Sequence, residues 1–190
     1  MKQFNNLTMK QKGVSLIEML AAVAIFLITI GAISGIFISA IRAQRRVLAT
    51  QELLDQTSYV LEYMSRALRM AIKDDIESDG VVKNCLTGTK VNYETISNGI
   101  KFRNYRNECQ TFYLDSYRLK ESKEGVENYL TSDKIVVQNF KINPSGEVQT
   151  DTLQPRVTIF LEVLGRGTTG EKPKIQIQTS ISQRNLDTAK

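Results

Sequence analysis

The chain has 190 residues, 42% of them hydrophobic and 24% charged, with a formal net charge of +5 and no histidine. That length holds one ordinary domain plus an appendage, and the missing histidine excludes imidazole bases and histidine metal sites. Lys2, Lys10 and Lys12 lie in the first thirteen residues with no acid beside them; the remainder carries 22 cations against 20 acids, a net +2 that gives no argument for a nucleic-acid partner.

Residues 1–13 read as a short basic leader ending in Lys12-Gly13. Val14-Ser15-Leu16-Ile17-Glu18-Met19-Leu20 then opens an apolar run that carries one carboxylate, Glu18. A carboxylate at the centre of a membrane helix costs about 2.5–3.5 kcal/mol or more, so this one needs a reason. The plain alternative is that Glu18 sits among lipid headgroups and faces water. From Met19 to Ile41 no residue is charged. At about 1.5 Å per residue those roughly 23 residues reach about 34 Å, enough to cross a hydrocarbon core of about 30 Å. A cleavable secretory signal has an apolar region of only about 7–15 residues with its cut site after it; here the candidate cut site precedes the run. Residues 14–41 are therefore assigned as the transmembrane half of a long helix. The lysines before it nearly cancel Arg42, Arg45 and Arg46 after it. The polar domain that follows places the N-terminus in the cytoplasm and the head outside. Gly31 and Gly35 form a GxxxG, a pattern that suits close helix packing and equally marks a point of local flexibility.

The helical pattern continues through residues 42–80. Leu53, Leu54, Val60, Leu61, Met64, Ala67, Leu68, Ala71 and Ile72 recur at steps of three, four and seven, making one apolar stripe. Neither proline nor glycine interrupts residues 36–79. One helix from about Ser15 to Lys73 would have roughly 59 residues, apolar all round in its first half and amphipathic in its second. Its exit, Asp74-Asp75-Ile76-Glu77-Ser78-Asp79-Gly80, resembles the start of a calcium loop, but Leu86 stands where the bidentate glutamate belongs, so a solvated acidic exit is the reading.

Residues 81–182 switch to period two, which predicts a β-rich head. Val157, Ile159, Leu161 and Val163 alternate with polar and aromatic neighbours, as do Ile175, Ile177, Thr179 and Ile181. Weaker strands are expected at 91–96, 99–105, 110–120 and 134–142, with turns at 97–99, 143–146 and 165–170. The fold class is α+β: a long helix whose amphipathic half packs on an antiparallel sheet. The polar tail, 183–190, should fray. Cys85 and Cys109, 24 positions apart and outside any CxxC, suit one disulfide in an oxidising compartment, or are two unrelated thiols. Gly165-Arg166-Gly167-Thr168-Thr169-Gly170 spells GxGxxG, but Pro173 and a strand follow instead of a helix, so it is a hairpin turn. Lys101-Phe102-Arg103-Asn104-Tyr105-Arg106 interleaves bases and aromatics; alternation on a strand explains it as well as nucleic-acid contact does.

The leader ending in Lys12-Gly13, followed by Val14 to Leu20 and a long apolar helix, resembles the class III signal of type IV pilins and pseudopilins. The resemblance implies cleavage by a prepilin peptidase between Gly13 and Val14, N-methylation of Val14, and a role for Glu18 in setting subunit register. A buried Glu18 would pair with the Val14 amine of a neighbouring subunit. Two departures, Val14 in place of the usual phenylalanine and no proline before Pro144, lean towards a minor pilin or pseudopilin, and the helix–sheet layout with the Leu53–Ile72 region looks most like the J-like and W-like minor subunits. The implied protein is a structural filament subunit of a type IV pilus, type II secretion or related system, not an enzyme, with no cofactor and no metal. Its implied partners are prepilin peptidase, other pilin or pseudopilin subunits, the membrane and, indirectly, the assembly platform and its ATPase. It would begin as a single-pass inner-membrane protein and end in a pilus or pseudopilus. The alternative is a membrane-anchored extracytoplasmic binding module or adhesin that never enters a filament.

Overall fold

The computed structural model describes residues 13–74, 85–87, 91–148, 153–166 and 172–184. The leader up to Lys12, the acidic exit from Asp75 to Gly80, the glycine turn 167–170 and the tail from 185 lie outside the described residues. The chain divides into two compact units, residues 1–45 and 46–190.

In the first unit the described chain is helical from Leu16 onward, within α1 (Leu16–Arg69). An 18-residue window of this helix reaches a mean hydropathy of 2.5 and none of it is buried. The helix continues unbroken through Gly31 and Gly35. Its hydroxyls turn back on the helix: Thr29 Oγ1 donates to the Ile25 carbonyl at 2.7 Å and Ser39 Oγ to that of Gly35 at 3.0 Å. Such back-bonding satisfies a hydroxyl where no water is at hand.

In the second unit α1 buries Leu53, Thr57, Val60, Met64 and Leu68, one stripe at steps of three and four. Thr57 joins the stripe because its Oγ1 donates to the Leu53 carbonyl at 2.6 Å and leaves its methyl for the core. Leu54, counted in the stripe from sequence, is exposed. The helix ends at Arg69, short of the expected Lys73.

The head contains two antiparallel sheets, where the sequence suggested one. The first is a five-stranded meander: β1 (Tyr93–Ile96), β2 (Gly99–Arg103), β3 (Cys109–Asp115), β4 (Arg118–Lys123) and β5 (Val126–Tyr129). The second comprises β6 (Ile135–Ser145), β7 (Arg156–Gly165) and β8 (Lys174–Ser182). The expected strand 110–120 is a hairpin, turned by Ser116 and Tyr117 at φ 50° and 63°. A two-residue turn of that hand usually advertises itself with Asn-Gly or Asp-Gly; here neither residue is glycine, so the sequence reads straight through. β5 follows a second such turn at Glu124-Gly125 and is exposed along its whole length, which leaves no apolar alternation to see. Gly99 is required where it stands, because a Cβ there would lie 2.0 Å from the Phe112 carbonyl oxygen across the β2–β3 pair. Pro144 is tolerated because β6 is an edge strand.

Both sheets and the α1 stripe contribute to one core. Ile100, Phe102, Phe112 and Leu119 come from the first sheet, and Val137, Val157, Ile159 and Leu161 from the second. The Phe102 and Phe112 rings lie 5.5 Å apart, and Tyr63 meets Phe112 edge-on at 6.1 Å. Gln183, expected to open the frayed tail, is instead fully buried, its Nε2 donating to the Ala71 carbonyl at 2.9 Å and its amide to that of Pro155 at 2.9 Å.

Candidate functional site

The sequence-derived site residues cluster at the start of α1. Gly13, Val14 and Ser15 are exposed and non-helical, and the helix begins at Leu16. The Ser15 carbonyl accepts the amides of Glu18 at 3.0 Å and Met19 at 3.2 Å, which makes Ser15 the N-cap. Glu18 is therefore the third helical residue, and Ser15-Leu16-Ile17-Glu18 has the spacing of a capping box. A carboxylate in the first turn also faces the positive end of the helix dipole. That second role for Glu18 was legible as Ser-x-x-Glu but is hidden when the carboxylate is read only as a charge in an apolar run. At Gly13 an added Cβ would meet nothing within 4 Å, so no packing within the described chain calls for glycine there. The Gly13–Val14 bond thus lies in exposed, non-helical backbone, the form in which a protease cleft accepts a chain.

Gly31 and Gly35 likewise have open space over their α-carbons. One turn apart, they share a face of the helix. Cys85 and Cys109, far from these positions in sequence, are brought together with Cα atoms 5.4 Å apart and carried as a bridged pair; that separation lies within the range a disulfide spans.

Beside Cys85 a buried clasp closes the helix exit onto β2. Arg103 Nε donates to Asp74 Oδ1 at 2.6 Å, and the Leu86 amide donates to Asp74 Oδ2 at 2.8 Å. Arg103 Nη1 also reaches Asn107 Oδ1 at 2.9 Å. Asp74 therefore serves a structural ion pair. Within the run 101–106, Phe102 and Arg103 point into the protein, and Tyr105 and Arg106 remain at the surface.

Those two residues edge a feature the sequence did not reveal, a cavity of about 400 Å³ between α1 and the β2–β3 turn. Tyr63 and Arg66 line it from the helix, Met70 from just beyond the helix end, and Lys123 from β4. Behind it runs a polar chain: Lys123 Nζ donates to Tyr63 Oη at 2.6 Å, Tyr63 Oη to Glu121 Oε1 at 2.7 Å, and Gln110 Nε2 to the same oxygen at 2.5 Å. Burial raises the pKa of the Tyr63 hydroxyl. Burial works against the Lys123 ammonium, but its bonds to Tyr63 and Glu121 outweigh it and hold its pKa above the ordinary lysine value.

Residues 8–34 match a family model described as a prokaryotic N-terminal methylation motif. The match takes in Gly13, Val14, Glu18 and Gly31, and it supports a class III leader of the type IV pilin and pseudopilin kind. No curated protein sequence and no solved structure matches the chain.

Proposed function

We propose that this chain is a structural subunit, a minor pilin or pseudopilin, of a type IV pilus, type II secretion or related filament. The observation that carries the proposal is the methylation motif over residues 8–34, with its cut site on exposed non-helical backbone ahead of a helix that carries no charge from Met19 to Ile41. Prepilin peptidase cuts between Gly13 and Val14, and the new Val14 amine is methylated. The subunit waits in the inner membrane with its head outside, then enters a helical bundle of other pilin subunits. Glu18 sets register by pairing with a neighbour's Val14 amine, and Gly31 and Gly35 admit a neighbouring helix or a local loosening. Its part is assembly rather than catalysis. The bridge between Cys85 and Cys109 suits export to an oxidising compartment.

Co-expression with active or inactive prepilin peptidase tests this reading. Mass spectrometry should find an N-methylated chain beginning at Val14 only with the active enzyme. A chain that still begins at Met1 beside active peptidase overturns the proposal and favours a membrane-anchored binding module with an uncut leader. Cleavage without recovery in sheared filaments removes the assembly role.

A further inference from the structure

The cavity beside Tyr63 combines features that no assembly role for the N-terminal helix requires. One side is apolar, formed by Ala67 and Met70 with the Tyr63 and Tyr105 rings. The other carries Arg66, which is paired with Glu62, and Arg106 and Lys123, with one lining carboxylate, Glu108. Glu108 is engaged, accepting the Asn104 amide at 3.0 Å. Lys123 is held in place by Tyr63 and Glu121. Arg106 donates through Nε to Tyr105 Oη at 2.9 Å, with its guanidinium 5.4 Å from that ring's centre. Its two terminal amino groups have no acceptor among the described residues, and paired amino groups of this kind grip a carboxylate bidentately.

We infer that this cavity is a binding site for a carboxylate carried on a peptide beside an aromatic or large apolar side chain. Its volume of about 400 Å³ falls in the range of ligand clefts, about 300–1,000 Å³, and suits one or two residues. The two chemistries of the lining select the ligand jointly. An inorganic anion satisfies Arg106 and leaves Met70 and the rings against water. A neutral apolar group fills the floor and leaves Arg106 without its acceptor. The site does not depend on leader processing, so its failure and the failure of the filament proposal are separate results.

The test uses the full-length chain in detergent micelles with 13C-methyl methionine, titrated with N-acetyl-L-phenylalanine, its amide, and inorganic phosphate. Met70 lines the cavity, Met64 is fully buried in the core, and Met19 lies on the apolar helix as a control for partition into the micelle. The acid should shift the Met70 methyl saturably in the millimolar range or below while Met19 stays put. The amide should bind at least about tenfold more weakly, and Arg106→Gln should weaken binding of the acid by at least about tenfold. An unmoved Met64 signal shows that the variant is folded. Equal binding of acid and amide, phosphate binding as tightly as the acid, or undiminished binding to folded Arg106→Gln each overturns the inference. So does the absence of a saturable Met70 shift.

Discussion

Arg103 and Asp74 form an ion pair buried from solvent, at 7% and 8% exposure, between β2 and the segment that leaves α1. Both charges are taken out of water, so each depends on the other. Removing one partner of such a pair costs about 3–5 kcal/mol, whereas replacing both with apolar residues costs far less. Arg103→Met should therefore destabilise the head by about 3–5 kcal/mol, and adding Asp74→Leu should restore part of the loss. Urea unfolding followed by circular dichroism in micelles reads both. A double variant no more stable than Arg103→Met alone contradicts the argument.

The Cys85–Cys109 bridge and the clasp share one short segment, since Leu86 follows Cys85 and donates to Asp74. A bridge across 24 positions contributes about 3–4 kcal/mol by restricting the unfolded chain. Cys85→Ser with Cys109→Ser should cost that much. Combined with Asp74→Asn, the loss should be less than additive, because a released segment can no longer hold the Leu86 amide in place. A double-mutant cycle gives the coupling, and strict additivity denies it. Equal gel mobility with and without reductant, for protein recovered after export, denies the bridge itself.

The legible parts of this molecule are those whose cause is local. The apolar half of the helix follows from its uninterrupted run of apolar residues, and its amphipathic continuation and strands β7 and β8 from side-chain periodicity. The leader is legible because its motif lies in one contiguous stretch, residues 8–34. The hairpin at Ser116-Tyr117 was hidden because its backbone is imposed by the strands on either side rather than by glycine. The exposed strand β5 exists because β4 offers it an edge to pair with. The cavity was hidden for a further reason: Tyr63 and Lys123 are joined by a hydrogen bond between positions 60 apart, and no spacing rule reaches that far.

Gln183 shows the same limit at the other end of the head. It looks like a polar tail residue, yet its side chain donates to the Ala71 carbonyl and its own carbonyl accepts Gln154 Nε2 at 2.8 Å. Gln183→Ala strips a donor from a buried carbonyl and should cost about 1–3 kcal/mol. Thermal unfolding measures the loss, and an unchanged midpoint refutes the role.

The Tyr63–Lys123 pair predicts the alkaline limb of stability. Both groups have folded pKa values above their ordinary ones, 10.0 for tyrosine and 10.5 for lysine. Each raised pKa means that the folded chain keeps a proton the unfolded chain releases. Their contributions are therefore intact below about pH 10 and are lost as pH rises through the folded values. Tyr63→Phe removes the tyrosine proton and the acceptor that holds the lysine proton, so its stability should fall less steeply between pH 9 and about 11. Unfolding midpoints across that range decide it; parallel curves for the two proteins reject the assignment.

Two roles are proposed for Glu18, and one pair of substitutions separates them. As the third helical residue after Ser15, it stands at the capping-box spacing, a position that glutamine fills as well as glutamate. As a partner for a neighbour's Val14 amine, only its charge serves, because a neutral amide leaves the buried ammonium uncompensated. Leader cleavage reads residues around Gly13 and should proceed in both Glu18→Gln and Glu18→Ala. If pairing sets register, both variants should be cleaved normally and recovered in filaments at least about tenfold less than the parent, since an unpaired buried charge costs several kcal/mol. If capping alone matters, Glu18→Gln should assemble like the parent while Glu18→Ala loses only the modest contribution of a helix end, about 0.3–1 kcal/mol. Quantifying cleaved subunit in sheared filaments against that left in the membrane distinguishes the two, and normal assembly of Glu18→Gln removes the ion pair from the mechanism.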